Sequence, residues 1–308
     1  MTSDGAGPVA RQRTLDVPAG TPSLREPARP GGVVQRRRRP PVISQALLTL
    51  VLLLFLAPLV WMVLSSLKSG GEIFTTPPRL FGESLRFGNY GEALDYLPFV
   101  RFMLNTAFVA IAGTLITLIT SALSAYAFAR LRFRGRDSLF LVYLGTLMVP
   151  QEVVVVPMFL IMNRLGWINT FQALILPWAF TAFGTFLLRQ FFLTVPKELE
   201  EAARVDGAGH WRILTRIIVP ISAPAFAVLA VFTFITYWNS FLWPLIVTND
   251  ASTTTVPLGL NLFLGQNGQQ WQLLMAAATI SMAPTALLVL LLQRYLVKGI
   301  ALSGLGGR

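Results

Sequence analysis

Ionisable side chains are scarce in this sequence, and a dense group of them lies between Pro196 and Pro220. There Glu198, Glu200, Glu201 and Asp206 alternate with Lys197, Arg204, His210, Arg212 and Arg216. Such groups can move protons, hold a metal or pair with charges on another surface. The first two uses are poorly served. His210 is the only histidine and cysteine is absent, so multi-histidine and thiolate metal sites, disulfides and thiol nucleophiles are excluded. Serine–histidine triad chemistry is left almost without material. No GxxxxGK[ST] run exists to cradle a nucleotide. We therefore assign no catalytic and no metal-ligating residue, and charge pairing at a surface remains.

The local pattern places these groups on a short helix. Pro196 suits a first helical turn, and Glu198, Glu200 and Glu201 follow where acids favour the positive end of the helix dipole. Leu199, Ala202 and Ala203 fall along one face. Glu200 and Arg204 are spaced for an i,i+4 pair. Asp206-Gly207 stops the helix, because glycine accepts the left-handed conformation at a C-terminus. A second helical run starts near 209. The small residues allow close docking into a groove, and the acids offer a charge partner; a helix lying on a bilayer surface is the competing reading.

The elements around this helix are apolar. Of 308 residues, 54% are hydrophobic and 13% charged, too few polar groups to cover a soluble domain. The fold class is an all-α membrane protein. Apolar runs at 43–67, 103–129, 139–162, 171–193, 214–246 and 273–296 predict six transmembrane helices, since about 20 apolar residues cross a bilayer. They make a membrane domain over 42–300. Pro150 and Pro157 interrupt the third run; Pro220 and Pro224 mark the start of the fifth, and Pro244 lies near its far end. Each lacks the amide donor a helix needs. Ser121, Ala125 and Ala129 put small residues on one face of the second span for a close helix contact.

Residues 1–41 hold seven prolines, five glycines and eight arginines. Such a segment buries too little to offset its conformational entropy, so it reads as a disordered basic tail rather than a cleaved signal peptide. It ends in Arg36–Arg39, a topology anchor. With the tail in the cytoplasm, only Lys68, Arg79, Arg86, Arg101 and Arg164 of the 25 basic residues face outward. Both termini are then cytoplasmic, 301–308 is a short tail, and 194–213 is a cytoplasmic loop. Topology accounts for the +11 charge; membrane lipid, not nucleic acid, is the implied surrounding. Trp61, Trp167, Trp238, Trp243 and Trp271 fall near the external interface, where indole rings anchor.

Two further groups are candidates for a solute path. Glu152 is a carboxylate inside a span, where charge is costly and tends to face a cavity or a partner; capping a broken helix is the structural alternative. Arg189, near the cytoplasmic end of span four, snorkels. Tyr237, Trp238 and Asn239 combine aromatic faces with an amide, a set suited to a sugar's C–H faces and hydroxyls, or to an interfacial belt with a capping asparagine.

The acidic helix carries a longer pattern. Glu201-Ala202-Ala203, three residues, Gly207, nine residues, Ile217, one residue, Val219 and Pro220 resembles the EAA loop of binding-protein-dependent ABC transporter permeases, with valine for the usual leucine. Asn89-Tyr90, Asn105-Thr106, the run AYAFAR at 125–130, Met148 with Pro150, Pro196 with Glu198-Leu199, Asp206-Gly207-Ala208, Trp238-Asn239 and Trp243-Pro244 extend the resemblance to the carbohydrate-importer branch over roughly 45–300. It implies the type I ABC importer permease fold in a prokaryotic inner membrane. It also implies that the EAA helix docks on a separate ATPase. Glu201 would make the charged contact, Ala202 and Ala203 would allow close approach, and Asp206 and Gly207 would set the bend. Implied partners are an ATPase dimer, a second and nonidentical permease, and an extracytoplasmic solute-binding protein docking on loops 68–101 and 247–272. ATP and magnesium would be used by the ATPase, with no cofactor on this chain. The expected function is the permease subunit of an ATP-driven sugar importer, not itself an enzyme. Alternatives are a permease for a polyol, glycerol phosphate or glycoside, and, from another class, an ion-coupled secondary transporter. The latter calls for inverted repeats and coupling carboxylates, and the sequence shows no such repeat.

Overall fold

A computed structural model of the protein describes residues 42–265 and 269–305, and the regular structure it contains is entirely helical. In chain order the α-helices are α1 (Val42–Ser66), α2 (Gly88–Tyr96), α3 (Phe99–Arg130), α4 (Arg136–Gly145), α5 (Gln151–Arg164), α6 (Phe171–Ile175), α7 (Ala182–Thr194), α8 (Lys197–Val205), α9 (His210–Ile213), α10 (Val219–Ile221), α11 (Ala223–Trp238), α12 (Leu242–Val247), α13 (Val256–Leu262) and α14 (Trp271–Leu305). Contacts divide the chain into one unit through Leu52 and another from Leu53 onward. In the first, residues 42–52 are helical; the packed helices belong to the second. The tail expected at 1–41 lies outside the described residues, as do 306–308, and α14 continues through 301–305.

Among the described residues three helices are long and apolar enough to cross a membrane: α1, α3 and the Trp271–Gln293 part of α14. Three bent pairs supply the other apolar runs. The segment Arg136–Met148 meets α5 at 99°, Phe171–Trp178 meets α7 at 47°, and His210–Ile221 meets α11 at 80°. Prolines account for two breaks. Pro150 is extended (φ −59°, ψ 138°) at the head of α5 and has no amide to continue the preceding turn. Pro220 and Pro224 flank the break at Ser222, just after a π-helical turn over Leu214–Ile218. Pro157, by contrast, lies inside α5 without ending it.

Helix α3 is the centre, packed chiefly against α7 and α11. Its small residues explain the closeness. Ser121, Ala125 and Ala129 are all buried within this chain, beside Leu188, Phe192 and Leu229. At Gly113 a Cβ would come 2.5 Å from the Tyr237 ring, so that crossing requires glycine. Trp238 and Trp243 depart from the interfacial placement expected of them. They are 3% and 1% exposed, and their indole N–H groups donate to the carbonyls of Ser281 and Ala173. Trp61, Trp167 and Trp271 are half-buried.

Polar side chains stitch the loops at the α3 N-terminal end. Asn89 donates to the carbonyls of Ser66 and Lys68, closing the end of α1. Asn105 donates to those of Ser252 and Thr254, and the Val256 amide donates to the Thr106 hydroxyl. Asn169, in the left-handed conformation (φ 62°), accepts through Oδ1 from the Asn249 amide and the Thr253 hydroxyl.

Candidate functional site

Helix α8 follows the extended Pro196 and closes at its other end in a Schellman arrangement. The Ala208 amide donates to Ala203 O (2.8 Å) and the Gly207 amide to Arg204 O (3.0 Å). Gly207 has φ +79°, the left-handed conformation this motif needs. The bend expected at Asp206-Gly207 is thus a helix stop that redirects the chain into α9.

The acids of α8 divide between its faces, because neighbours on a helix point about 100° apart. Glu200 is turned inward and 3% exposed, while Glu201 is exposed. The Glu200 carboxylate lies 2.6 Å from Arg130 Nε, and the two side chains are 4% and 3% exposed. Arg130 Nη2 also donates to the carbonyls of Phe192 (2.6 Å) and Val195 (2.7 Å), at the end of α7. A guanidinium is well suited to this, since its fork engages a carboxylate and helix-terminal carbonyls at once. Arg204 adds a looser contact to Glu200 at 3.7 Å, the i,i+4 pair read from the spacing. The Tyr126 hydroxyl and His210 Nδ1 are 2.9 Å apart, joining α3 to α9. Ala203 and Ala208 pack against the cluster that holds Ala129, Phe192 and Ile213.

The opposite face is uncovered by the described residues. Glu201, Ala202 and Asp206 are exposed there, with Leu199 45%, Val205 89% and Trp211 68% exposed. Beside α8 a cavity of about 840 Å³ is lined by Arg132, Arg136, Lys197, Glu201, Arg204 and His210. Among the described residues no group of histidine, aspartate and glutamate is placed to hold a metal. The arrangement suits docking by charge and apolar contact.

A second cavity, of about 620 Å³, lies among the bent pairs. Its walls include Thr117, Gln151, Trp178, Thr181, Phe183 and Thr236. Among the described residues the Thr117 hydroxyl and the Trp178 indole N–H have no hydrogen-bond partner. The Tyr237–Asn239 triplet does not share this surface. Tyr237 lines the cavity, but its hydroxyl donates to Ile175 O (2.8 Å). Trp238 and Asn239 line a separate crevice against α13 and α14, and the exposed Asn239 donates to Ile235 O. Glu152 is exposed in the first turn of α5, without an ion pair among the described residues; its neighbour Gln151 lines the cavity instead. Arg189 does not simply snorkel: its Nε donates to Phe128 O (3.3 Å) and its guanidinium sits 4.2 Å over the Phe140 ring.

Sequence reasoning missed Arg130, which it counted only as a topology charge, and missed Thr117, Gln151 and Trp178. The signal for Arg130 was its place at the end of the AYAFAR run. Thr117 and Trp178 carried none, since a threonine or a tryptophan in an apolar run is commonplace, and Gln151 was passed over beside the charged Glu152.

Residues 30–302 match the family described as binding-protein-dependent transport system inner membrane component. The chain is 37% identical to the trehalose/maltose transport system permease protein MalG of Thermococcus litoralis, over 85% of this chain and 95% of that one. It is 36% identical to the sn-glycerol-3-phosphate transport system permease protein UgpE of Yersinia pestis bv. Antiqua, over 82% and 93%. In structure it is similar to a chain of a bacterial ABC transporter involved in the import of the acidic polysaccharide alginate. That likeness has a TM-score of 0.73 at 25% identity and covers 82% of this chain and 95% of that one.

Proposed function

The chain belongs to the family of binding-protein-dependent transport system inner membrane components, and we propose that it forms half of the path by which an ATP-driven importer takes up a sugar or sugar-like solute. The observation that carries this reading is the uncovered face of α8. Leu199 and Val205 are exposed beside Glu201 on this charged helix, with Trp211 exposed on α9 next to it, a mixed apolar and charged surface of the kind a docked protein covers. An ATPase docked there would receive Glu201 as its charged contact, with Ala202 and Ala203 allowing close approach and Asp206 and Gly207 setting the bend. ATP and magnesium would act on that subunit, and this chain would catalyse nothing.

In the same reading the three bent pairs and three long helices make six spans, with both termini in the cytoplasm. A second permease completes the path, and a solute-binding protein delivers the solute to the loops stitched by Asn105 and Asn169. Nucleotide binding and release would move the docked helix between two positions and so open the path to either side. The cavity around Thr117, Gln151 and Trp178 fits a polyhydroxyl solute: one indole face, several hydroxyls and an amide. Among the described residues its lining holds no lysine or arginine. That favours a neutral sugar or polyol over glycerol phosphate, whose charge would call for a cation.

The test is gentle purification of the tagged chain from its native membrane, followed by reconstitution. We expect an ATPase and a second permease to accompany it, and ATP-dependent uptake of a neutral sugar delivered by the binding protein. A chain that emerges alone and drives uptake from an ion gradient would overturn the reading.

A further inference from the structure

We propose that the buried Arg130–Glu200 pair is the joint that fixes α8 to the membrane helices, making Arg130 and Glu200 positioning residues for coupling. This rests on the importer reading and names the part of the chain that carries the motion. Three segments meet at the pair. Arg130 is the last residue of α3, Glu200 lies in α8, and the Phe192 and Val195 carbonyls end α7. The Tyr126–His210 contact ties α9 to α3 one turn away.

Without this pair, α8 would be held by its two chain connections, by the packing of Ala203 and of Ala208 just beyond it, and by the Tyr126–His210 contact on α9. Alanine contacts resist sliding weakly. A guanidinium in ion-pair contact with one carboxylate, and hydrogen-bonded through Nη2 to two carbonyls, permits little rotation. Burial adds to this, because pulling Glu200 away would leave Arg130 charged and unpaired inside the protein. A displacement applied to Glu201 is therefore carried to the ends of α3 and α7 together. The two adjacent glutamates have separate tasks: Glu201 meets the partner and Glu200 meets the membrane helices.

The chain has no native cysteine, so spin labels at Gln190→Cys on α7 and Glu198→Cys on α8 report the joint directly in the full chain in nanodiscs. The parent should give a narrow distance distribution, and Glu200→Gln a shifted or broadened one. An unchanged distribution would overturn the proposal. In the complete complex, Glu200→Gln should lower solute imported per ATP hydrolysed by about fivefold or more, the size of an ordinary coupling energy; an unchanged ratio would also overturn it. A role in stability alone is separated by Arg130→Met with Glu200→Leu, which removes both charges and leaves none stranded. That double variant should recover the yield of assembled complex but not the ratio. Recovery of both would reduce the pair to a stabilising contact. If the parent binds no ATPase, the importer reading falls, while the distance measurement still judges the joint.

Discussion

Gly207 illustrates how little a residue need touch to matter. A Cβ there would meet nothing within 4 Å, so any cost of substitution comes from its φ of +79° alone. Gly207→Val should cost about 1–3 kcal/mol of local strain and turn α8 away from its present direction. We expect the protein to insert normally and to hydrolyse more ATP per solute imported, with Gly207→Asn milder because asparagine tolerates this conformation. Coupled uptake in the valine variant equal to the parent's would refute the bend's role. Glu152 is a different case, an exposed carboxylate within an apolar run and without an ion pair among the described residues. Glu152→Gln should change uptake without changing assembly, measured as transport per assembled complex; unchanged transport would leave it a helix-terminal acid and no more. At this scale the sequence was legible where partners are close in the chain, as for Glu200 and Arg204. It marked Arg130 only as the end of the AYAFAR run, because nothing in a span of apolar residues says which distant helix end an arginine will close.

The elements were legible as apolar runs and illegible as shapes. Six runs long enough to span announce themselves by composition, and Pro150, Pro220 and Pro224 sit at breaks. The angles do not follow from proline, as Pro157 inside α5 shows; they depend on what each half packs against. Tyr237 and Trp238 show the same limit. Adjacent aromatic residues look like one patch in a sequence, yet on α11 they face different cavities and spend their polar atoms on the carbonyls of Ile175 and Ser281. The loop after α1 is an element with its own chemistry. Glu72 accepts the amides of Ser69 and Glu83, both at 3.0 Å. The Glu83 amide foremost, then that of Ser69, brings its carboxyl from 4.5 down to about 2. A depressed carboxyl supports the loop above its ordinary value and loses that support as pH falls through the folded one. Protection of the Glu83 amide, its exchange relative to an unstructured amide at the same pH, should therefore hold from neutral pH to about 4.5 and fall between there and about 2. An amide already exchanging freely at pH 6 would remove Glu72 from that role.

For the whole molecule, charge and packing point to the same orientation. The five basic residues assigned outward lie in or beside the loops stitched to the α3 N-terminal half, while Arg130, Arg204 and His210 gather where α8 docks. Bilayers retain lysine and arginine on the cytoplasmic side, so the α8 end should face the ATP-containing compartment and the Asn105 end should face outward. Neither arrangement depends on the other: one is electrostatic and set during insertion, the other is packing between helices. Single cysteines test them together, with no native thiol to confuse the result. Ser84→Cys should react with a membrane-impermeant maleimide added to intact cells, and Thr194→Cys only after the membrane is opened. The reverse pattern would invert the protein, place Glu201 beyond the reach of any ATPase and end the importer reading. Labelling of both from outside would mean that, with α3 crossing, only one of the two bent pairs between them crosses the bilayer and the other dips in and returns on the same side.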